Sequence, residues 1–119
     1  MSYDISLVDP ITRLTIRFDA PHQIKGGTYA LGGTTEAWLN VTYNYSTHFY
    51  RVMPEDKGIR WLYGKTGAEA IPVLKKAISE LKDDANPDYW KPTEGNAKQA
   101  LMGLLAFAQL RPDGIFTGD

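Results

Sequence analysis

Two short runs near the start of the chain alternate strictly. Tyr3, Ile5 and Leu7 alternate with Ser2, Asp4 and Ser6, and Leu14, Ile16 and Phe18 alternate with Arg13, Thr15 and Arg17. Successive side chains of a strand point to opposite faces, so period two with one polar face marks half-buried strands. Between the runs, Asp9-Pro10-Ile11-Thr12 supplies turn chemistry: proline pre-sets its φ, and the aspartate carboxylate can accept from backbone ahead of it. The pattern predicts a β-hairpin with arms at 2–8 and 13–18.

The periodicity changes in the second half. Thr66 followed by Glu69 has the spacing of a capping box, and Ile71, Leu74, Ile78 and Leu81 then form a stripe among Lys75, Lys76, Ser79 and Lys82. Pro72 stands near the first turn, where a missing N–H is best tolerated. This helix is expected over 67–83, fading at Asp83-Asp84-Ala85-Asn86-Pro87. After a loop with Tyr89, Trp90 and Pro92, Thr93 caps a second helix over 94–110, with Ala97, Leu101, Leu104, Leu105 and Ala108 on its apolar face. Arg111-Pro112-Asp113-Gly114 then reads as a turn before a short strand at 114–117.

The middle of the chain fits two templates. Leu39, Val41, Tyr43 and Tyr45 alternate with polar residues, whereas Trp38, Val41, Tyr45, Phe49 and Val52 follow helical spacing. Asn, Thr, Val and Tyr are mediocre helix formers, and three of them suit strands, so a strand is expected at 37–45 and a short helix at 47–53, ended by Pro54.

Four features bear on chemistry. Gly26-Gly27-Thr28-Tyr29-Ala30-Leu31-Gly32-Gly33-Thr34 is a glycine-rich loop whose freed amides can cradle a phosphate, yet it matches neither a P-loop nor a dinucleotide fingerprint. With a strand rather than a helix expected after it, its first reading is a flexible or tight connection. His22 and His48 can act as acid and base or hold a metal, but no cysteine or spaced carboxylates accompany them, and no metal or cofactor is expected. Between Gly26 and Tyr50 the only charged residue is Glu36, while Tyr29, Trp38, Tyr43, Tyr45, Phe49 and Tyr50 share the window with Asn40, Thr42, Asn44, Ser46 and His48. Uncharged rings and amides suit a flat ligand, a protein interface, or simply a core strand with polar residues outward. Asn44, an amide between two tyrosines, needs partners if it is buried. Finally, Glu80, Asp83, Asp84 and Asp88 form an acidic patch that can meet a basic partner or merely solvate a helix end. No triad, metalloprotease or paired-carboxylate motif appears, which leaves enzyme activity unsupported.

Leu39-Asn40-Val41-Thr42-Tyr43-Asn44-Tyr45-Ser46 resembles small proteins of bacteria and their phages and prophages, in which a strand reading N-[IV]-T-[HY]-N leads directly into a helix. The likeness extends over 38–116, through the capped helix at Thr66, the Pro92-Thr93-Glu94-Gly95-Asn96 segment and the Pro-Asp turn. It implies a strand at 38–45 and marks Asn40, Thr42 and Asn44 as candidates. Relatives with His in place of Tyr43 argue against an acid–base role there, and the resemblance assigns no activity.

Composition narrows the class. The 119 residues carry 13 Lys+Arg against 14 Asp+Glu, a net charge of -1, and no cysteine. Such balance disfavours bulk nucleic-acid binding, and the lack of thiols excludes disulfides, thiolate metal sites and a cysteine nucleophile. The chain has neither a signal-peptide pattern at its start nor the roughly 18 apolar residues of a membrane span, so a cytoplasmic protein is expected, in the bacterial host if phage-encoded. The sequons at Asn40 and Asn44 are taken as chance matches.

The fold expected is α+β in one domain over 1–119, with a small antiparallel sheet of about four strands against two main helices. The function expected is non-catalytic binding to a host protein or small ligand, with counter-defence as a role. Its candidate residues are His22, Gly26, Gly27, Tyr29, Trp38, Asn40, Thr42, Tyr43, Asn44, Tyr45 and His48. The alternative is a small enzyme or nucleotide-binding protein that uses Asn44, His48 and His22 around the glycine-rich loop.

Overall fold

The computed structural model describes residues 1–22 and 33–119. Gly26, Gly27 and Tyr29, with most of the glycine-rich loop, lie outside the described residues. The fold is α+β. Strand β1 (Ser2–Val8) is central in an antiparallel sheet, between β4 (Trp38–Thr42) on one side and β5 (Ile115–Gly118) on the other. Strands β2 (Arg17–His22) and β3 (Thr34–Glu36) form a separate two-stranded ribbon. Helices α1 (Ser46–Val52), α2 (Gly67–Ser79) and α3 (Glu94–Leu110) complete the chain, with 3-10 turns at Tyr43–Tyr45, Pro54–Asp56 and Gly58–Leu62.

The expected hairpin forms only at its turn. The Asp9 carboxylate accepts from Ile11 and Thr12 N–H at 2.8 and 3.0 Å, and Asp9 N–H donates to Leu14 O at 2.9 Å. Beyond the contact of Ile16 N–H with Leu7 O, the second arm leaves β1 and joins β3 as β2. The reason is competition for the two edges of β1. One edge takes β4, which buries Leu39 and Val41, and the other takes β5, which buries Phe116; Leu14 of the displaced arm stays 70% exposed. The single sheet of about four strands is therefore corrected to three strands plus a ribbon.

The middle segment divides between its two templates. The strand ends at Thr42, three residues short of the expected 45, where the Thr42 hydroxyl accepts from Asn44 N–H at 3.2 Å and caps the turn at Tyr43–Tyr45. Leu39 and Val41 follow the strand alternation into the core. Tyr45, Phe49 and Val52 follow the helical spacing and are buried as well.

The capping box of α2 is present: Thr66 Oγ1 accepts from Glu69 N–H at 3.1 Å, and the Glu69 carboxylate accepts from Thr66 N–H at 3.0 Å. That helix stops at Ser79 rather than 83. Leu74 and Ala77 of α2 pack with Leu101, Leu104 and Phe107 of α3 beneath Ile5, Leu7 and Leu39 of the sheet, each large apolar side chain contributing about 1.5–3 kcal/mol by its removal from water. The 3-10 turns over 54–62 have no period in the sequence, and Glu55 and Asp56 both adopt positive φ there.

Gly95 sits where the chain before α3 crosses its first turn. A Cβ on it would lie 2.2 Å from Ala85 N and 2.6 Å from Asp84 C, both backbone atoms. Helix propensity alone predicts that Gly95→Ala stabilises by about 1 kcal/mol. The close approach predicts the opposite, a loss of about 1–3 kcal/mol in urea unfolding; a gain would show that the crossing is loose.

Candidate functional site

The uncharged window meets the connection between α2 and α3, residues 80–93, along the outer edge of β4. Asn96, in the first turn of α3, is only 4% exposed. Its Nδ2 donates to Asp88 O and Lys91 O, both at 3.0 Å, and its Oδ1 accepts from Asn86 N–H at 2.8 Å. One primary amide thus satisfies three backbone groups of the connection, which is its capacity for two donors and an acceptor. Thr93 Oγ1 in turn caps α3 by accepting from Asn96 N–H at 3.1 Å.

Held in this way, Tyr89 reaches the sheet. Its hydroxyl accepts from Thr42 N–H at 2.8 Å and donates to Asn40 O at 3.2 Å. These are outward backbone groups of an edge strand, so the phenol takes the place that another strand's backbone would occupy. Tyr45, fully buried, donates its hydroxyl to Tyr89 O, and the two rings meet edge to face at 5.6 Å. Asn44 Nδ2 donates to Trp90 O at 2.9 Å, and His48 Nε2 donates to Pro92 O at 2.8 Å. Burial pushes the Tyr89 phenol up to about 12, against the opposing effect of the Thr42 N–H bond. Burial raises Tyr45 as well, with Tyr89 and Asp88 adding to it.

Thr42, Asn44, Tyr45 and His48 are therefore brought together, and their polar atoms hold the protein's own backbone. Asn44 is exposed and lies in the 3-10 turn after β4 rather than on the expected strand. Asn40 faces β1 instead, donating from Nδ2 to Ser2 Oγ at 2.7 Å and Asp4 Oδ1 at 2.8 Å. Tyr43 packs its ring 4.5 Å from that of Tyr3, and its hydroxyl accepts from Arg60 at 3.1 Å. Trp38 is half-buried on β4.

The acidic patch divides in the same way. Asp84 accepts from Gly95 N–H at 2.9 Å, Asp88 accepts from Trp90 N–H at 3.0 Å, and Asp83 pairs with Lys98 at 2.6 Å. Among the described residues, no group of three or more His, Asp and Glu side chains is placed to hold a metal ion.

His22 stands apart. Its Nε2 donates to Glu36 O at 2.7 Å and its ring lies 5.1 Å from that of Phe107, near the C-terminal end of α3. His48 contacts the residues just before the N-terminal end of that helix. At 1.5 Å per residue the two ends of the 17-residue α3 are about 25 Å apart, so the histidines do not converge.

His22 instead borders a groove of about 520 Å³ between β2 and α3. Phe18 and Ala20 share its β2 wall, while Ala106, Phe107 and Leu110 form the helical wall; Leu110 is 64% exposed. Arg17 and Arg111 lie on its rim and also border a second cavity of about 520 Å³, which reaches the exposed Leu14. Arg111 is anchored at this boundary by Asp9 at 3.2 Å and Asp113 at 2.8 Å. In the sequence, Ala20, Ala106, Phe107 and Leu110 belong to no motif that marks a binding site, and Phe18 reads only as a strand residue. The signal available was Leu110, which continues the apolar content of α3 to its last residue, and the spacing of Phe18, Ala20 and His22 on one strand face.

No family model, curated protein or solved structure matches the chain. No helix among the described residues is long and apolar enough to cross a membrane.

Two predictions follow from the bonds to the connection. Asn96→Ala, which strands three backbone groups, is expected to cost about 2–4 kcal/mol in urea unfolding, against about 0.5–1 for Asn44→Ala at the exposed rim. Equal effects would contradict the hub role of Asn96. For pH, a phenol that titrates near 12 in the folded chain and near 10 in the unfolded chain favours folding only while neutral. Its contribution is complete below about pH 10 and is lost as pH rises through about 12. The urea midpoint should stay flat from about pH 8 to 10 and fall above that, less steeply in Tyr89→Phe; an unchanged slope in that variant would remove Tyr89 from the account.

Proposed function

We propose that the chain is a non-catalytic binding protein of phage or mobile-element type, acting by contact with a host protein, with counter-defence as its role. The observation that carries this reading is the placement of its apolar surface. Among the described residues of the uncharged window, Asn40, Tyr43, Asn44, Tyr45 and Phe49 are engaged in internal packing or hydrogen bonds, while Leu110 and Leu14 stand exposed on adjoining cavities beside Phe18, Ala20 and Phe107. Exposed apolar side chains grouped around a groove favour a protein partner, because burying them in a partner removes them from water. The rims carry Arg17 paired with Glu36, Arg111 paired with Asp9 and Asp113, and the exposed Asp19. A partner presenting apolar side chains therefore suits the face better than a highly charged one. The phage or mobile-element origin rests on the resemblance of the Asn40–Asn44 motif and its neighbours. An enzyme built on Asn44, His48 and His22 is less favoured, because those side chains sit toward opposite ends of α3.

Affinity capture from host lysate tests this. The wild type should retain one host protein that Leu110→Asp loses, with a drop of about 30-fold in affinity for the purified pair, while unfolding stability is unchanged because Leu110 is exposed. Retention that is insensitive to both Leu110→Asp and Leu14→Asp would overturn the assignment of this face.

A further inference from the structure

A surface helix normally carries charge on the side away from the core, and α2 does so, with Glu69, Lys75 and Lys76 exposed. From Gln99 to Leu110, α3 has no charged residue at all. Its inner side packs on α2 and the sheet, yet on its outer side Met102 is 50% exposed and Leu110 is exposed as well, with Leu105 and Ala106 half-buried between them. A helix that is apolar all round calls for cover all round.

Met102, Ala106 and Leu110 stand four residues apart and drift by only about 40° per step, so they share one face. A small side chain thus lies midway between two large ones, each about 6 Å from it along the axis. Ala106 and Leu110 also border the groove of about 520 Å³, whose opposite wall is Phe18 and Ala20, while Met102 stands one turn before it. A protruding side chain and a groove placed on either side of one point complement each other about a two-fold axis through that point.

We propose that a second copy of the chain covers this face, with the two α3 helices crossing antiparallel at Ala106 and each Met102 entering the groove of the other copy. The exchange is reciprocal, so the pair closes as a dimer and does not grow into a filament. Ala106 permits close approach of the helices, and the flexible methionine, whose sulfur packs well on rings, suits a groove walled by Phe18 and Phe107. Charge agrees with the orientation. No like charges meet along the uncharged stretch, and antiparallel helices oppose their dipoles favourably. The Lys98–Asp83 pair at one end of the face meets the rim of Arg17, Asp19 and Arg111 at the other, where Asp83, 89% exposed, can pair with Arg17, 69% exposed. Area sets the strength. The stretch from Gln99 to Leu110 is about 18 Å long and about 10 Å wide, and with the groove it stays below the roughly 800 Å² per partner of a standard interface. The dimer is therefore weak, with a dissociation constant of about 100 μM, and it separates on dilution. It shares Leu110 with the proposed host-protein contact but does not depend on that contact.

Sedimentation equilibrium of the purified chain, from about 5 μM to about 1 mM, tests this with no host protein present. The wild type should pass from monomer to dimer, and Met102→Asp and Leu110→Asp should each raise the dissociation constant at least about 10-fold. Both residues are exposed, so urea unfolding of the variants at the lowest concentration should be unchanged. The crossing point has its own readout. The chain has no cysteine, so Ala106→Cys puts a single thiol at the axis, and in air it should form a disulfide-linked dimer much faster than the exposed control Lys75→Cys on α2. A monomer at every concentration, a dimer indifferent to Met102→Asp, assembly beyond the dimer, or equal cross-linking of the two thiols would each overturn the proposal. A permanent monomer that still captures a host protein through Leu110 sinks the self-pairing and leaves the host contact standing. A dimer whose host capture ignores Leu110→Asp does the reverse.

Discussion

Between α2 and α3 the chain runs through residues 80–93 without helix or strand, and the amide of Asn96 fixes its course. A connection of this length is uncommon unless something holds it, because its backbone groups must find partners one by one. Asn96 supplies three of them from a buried position in α3. Once Asp88 O and Lys91 O are tied down, Tyr89 between them has a defined position, and its hydroxyl closes the exposed edge of β4. Asn44, Tyr45 and His48 then secure Tyr89, Trp90 and Pro92 from the other side. The edge strand, the short helix α1 and the start of α3 are thereby joined through a segment with no regular structure.

This arrangement changes what the uncharged window means. Low charge and many rings suit a binding surface, but they equally suit a seam in which a loop is hydrogen-bonded onto a sheet edge. Here Thr42 caps a turn, Asn40 clamps β1, and Asn44 and His48 reach backbone carbonyls. Interaction surface is accordingly sought at the opposite end of α3, where Leu110 is exposed beside Phe18 and Phe107.

Local signals in the sequence were legible where the residues that interact lie close together in the chain. Thr66 and Glu69 announced their capping box, Asp9 its turn, and the stripe from Ala97 to Ala108 its helix. Partner choice was not legible. The alternation of Leu14, Ile16 and Phe18 is true of a strand, but it does not say that β1 is already occupied on both edges. The segment from Trp38 to Val52 matched two periods because it is a strand followed by a helix, with Val41 and Tyr45 on either side of the junction. Asn96 gave little warning, since its partners are backbone groups that come near it only when the connection folds back. Asn44 drew notice through its composition, but its exposure and its bond to Trp90 O depend on the strand ending at Thr42.

The central claim is that Tyr89 substitutes for a missing strand neighbour at the edge of β4. Amide hydrogen exchange of Thr42 tests it most directly, because an outward N–H on an unprotected edge exchanges rapidly while one held by a buried network exchanges only as the fold opens. The account predicts that the Thr42 amide is protected to nearly the same degree as the core amides of β1. Exchange at the rate of the exposed turn around Ile11 would contradict it.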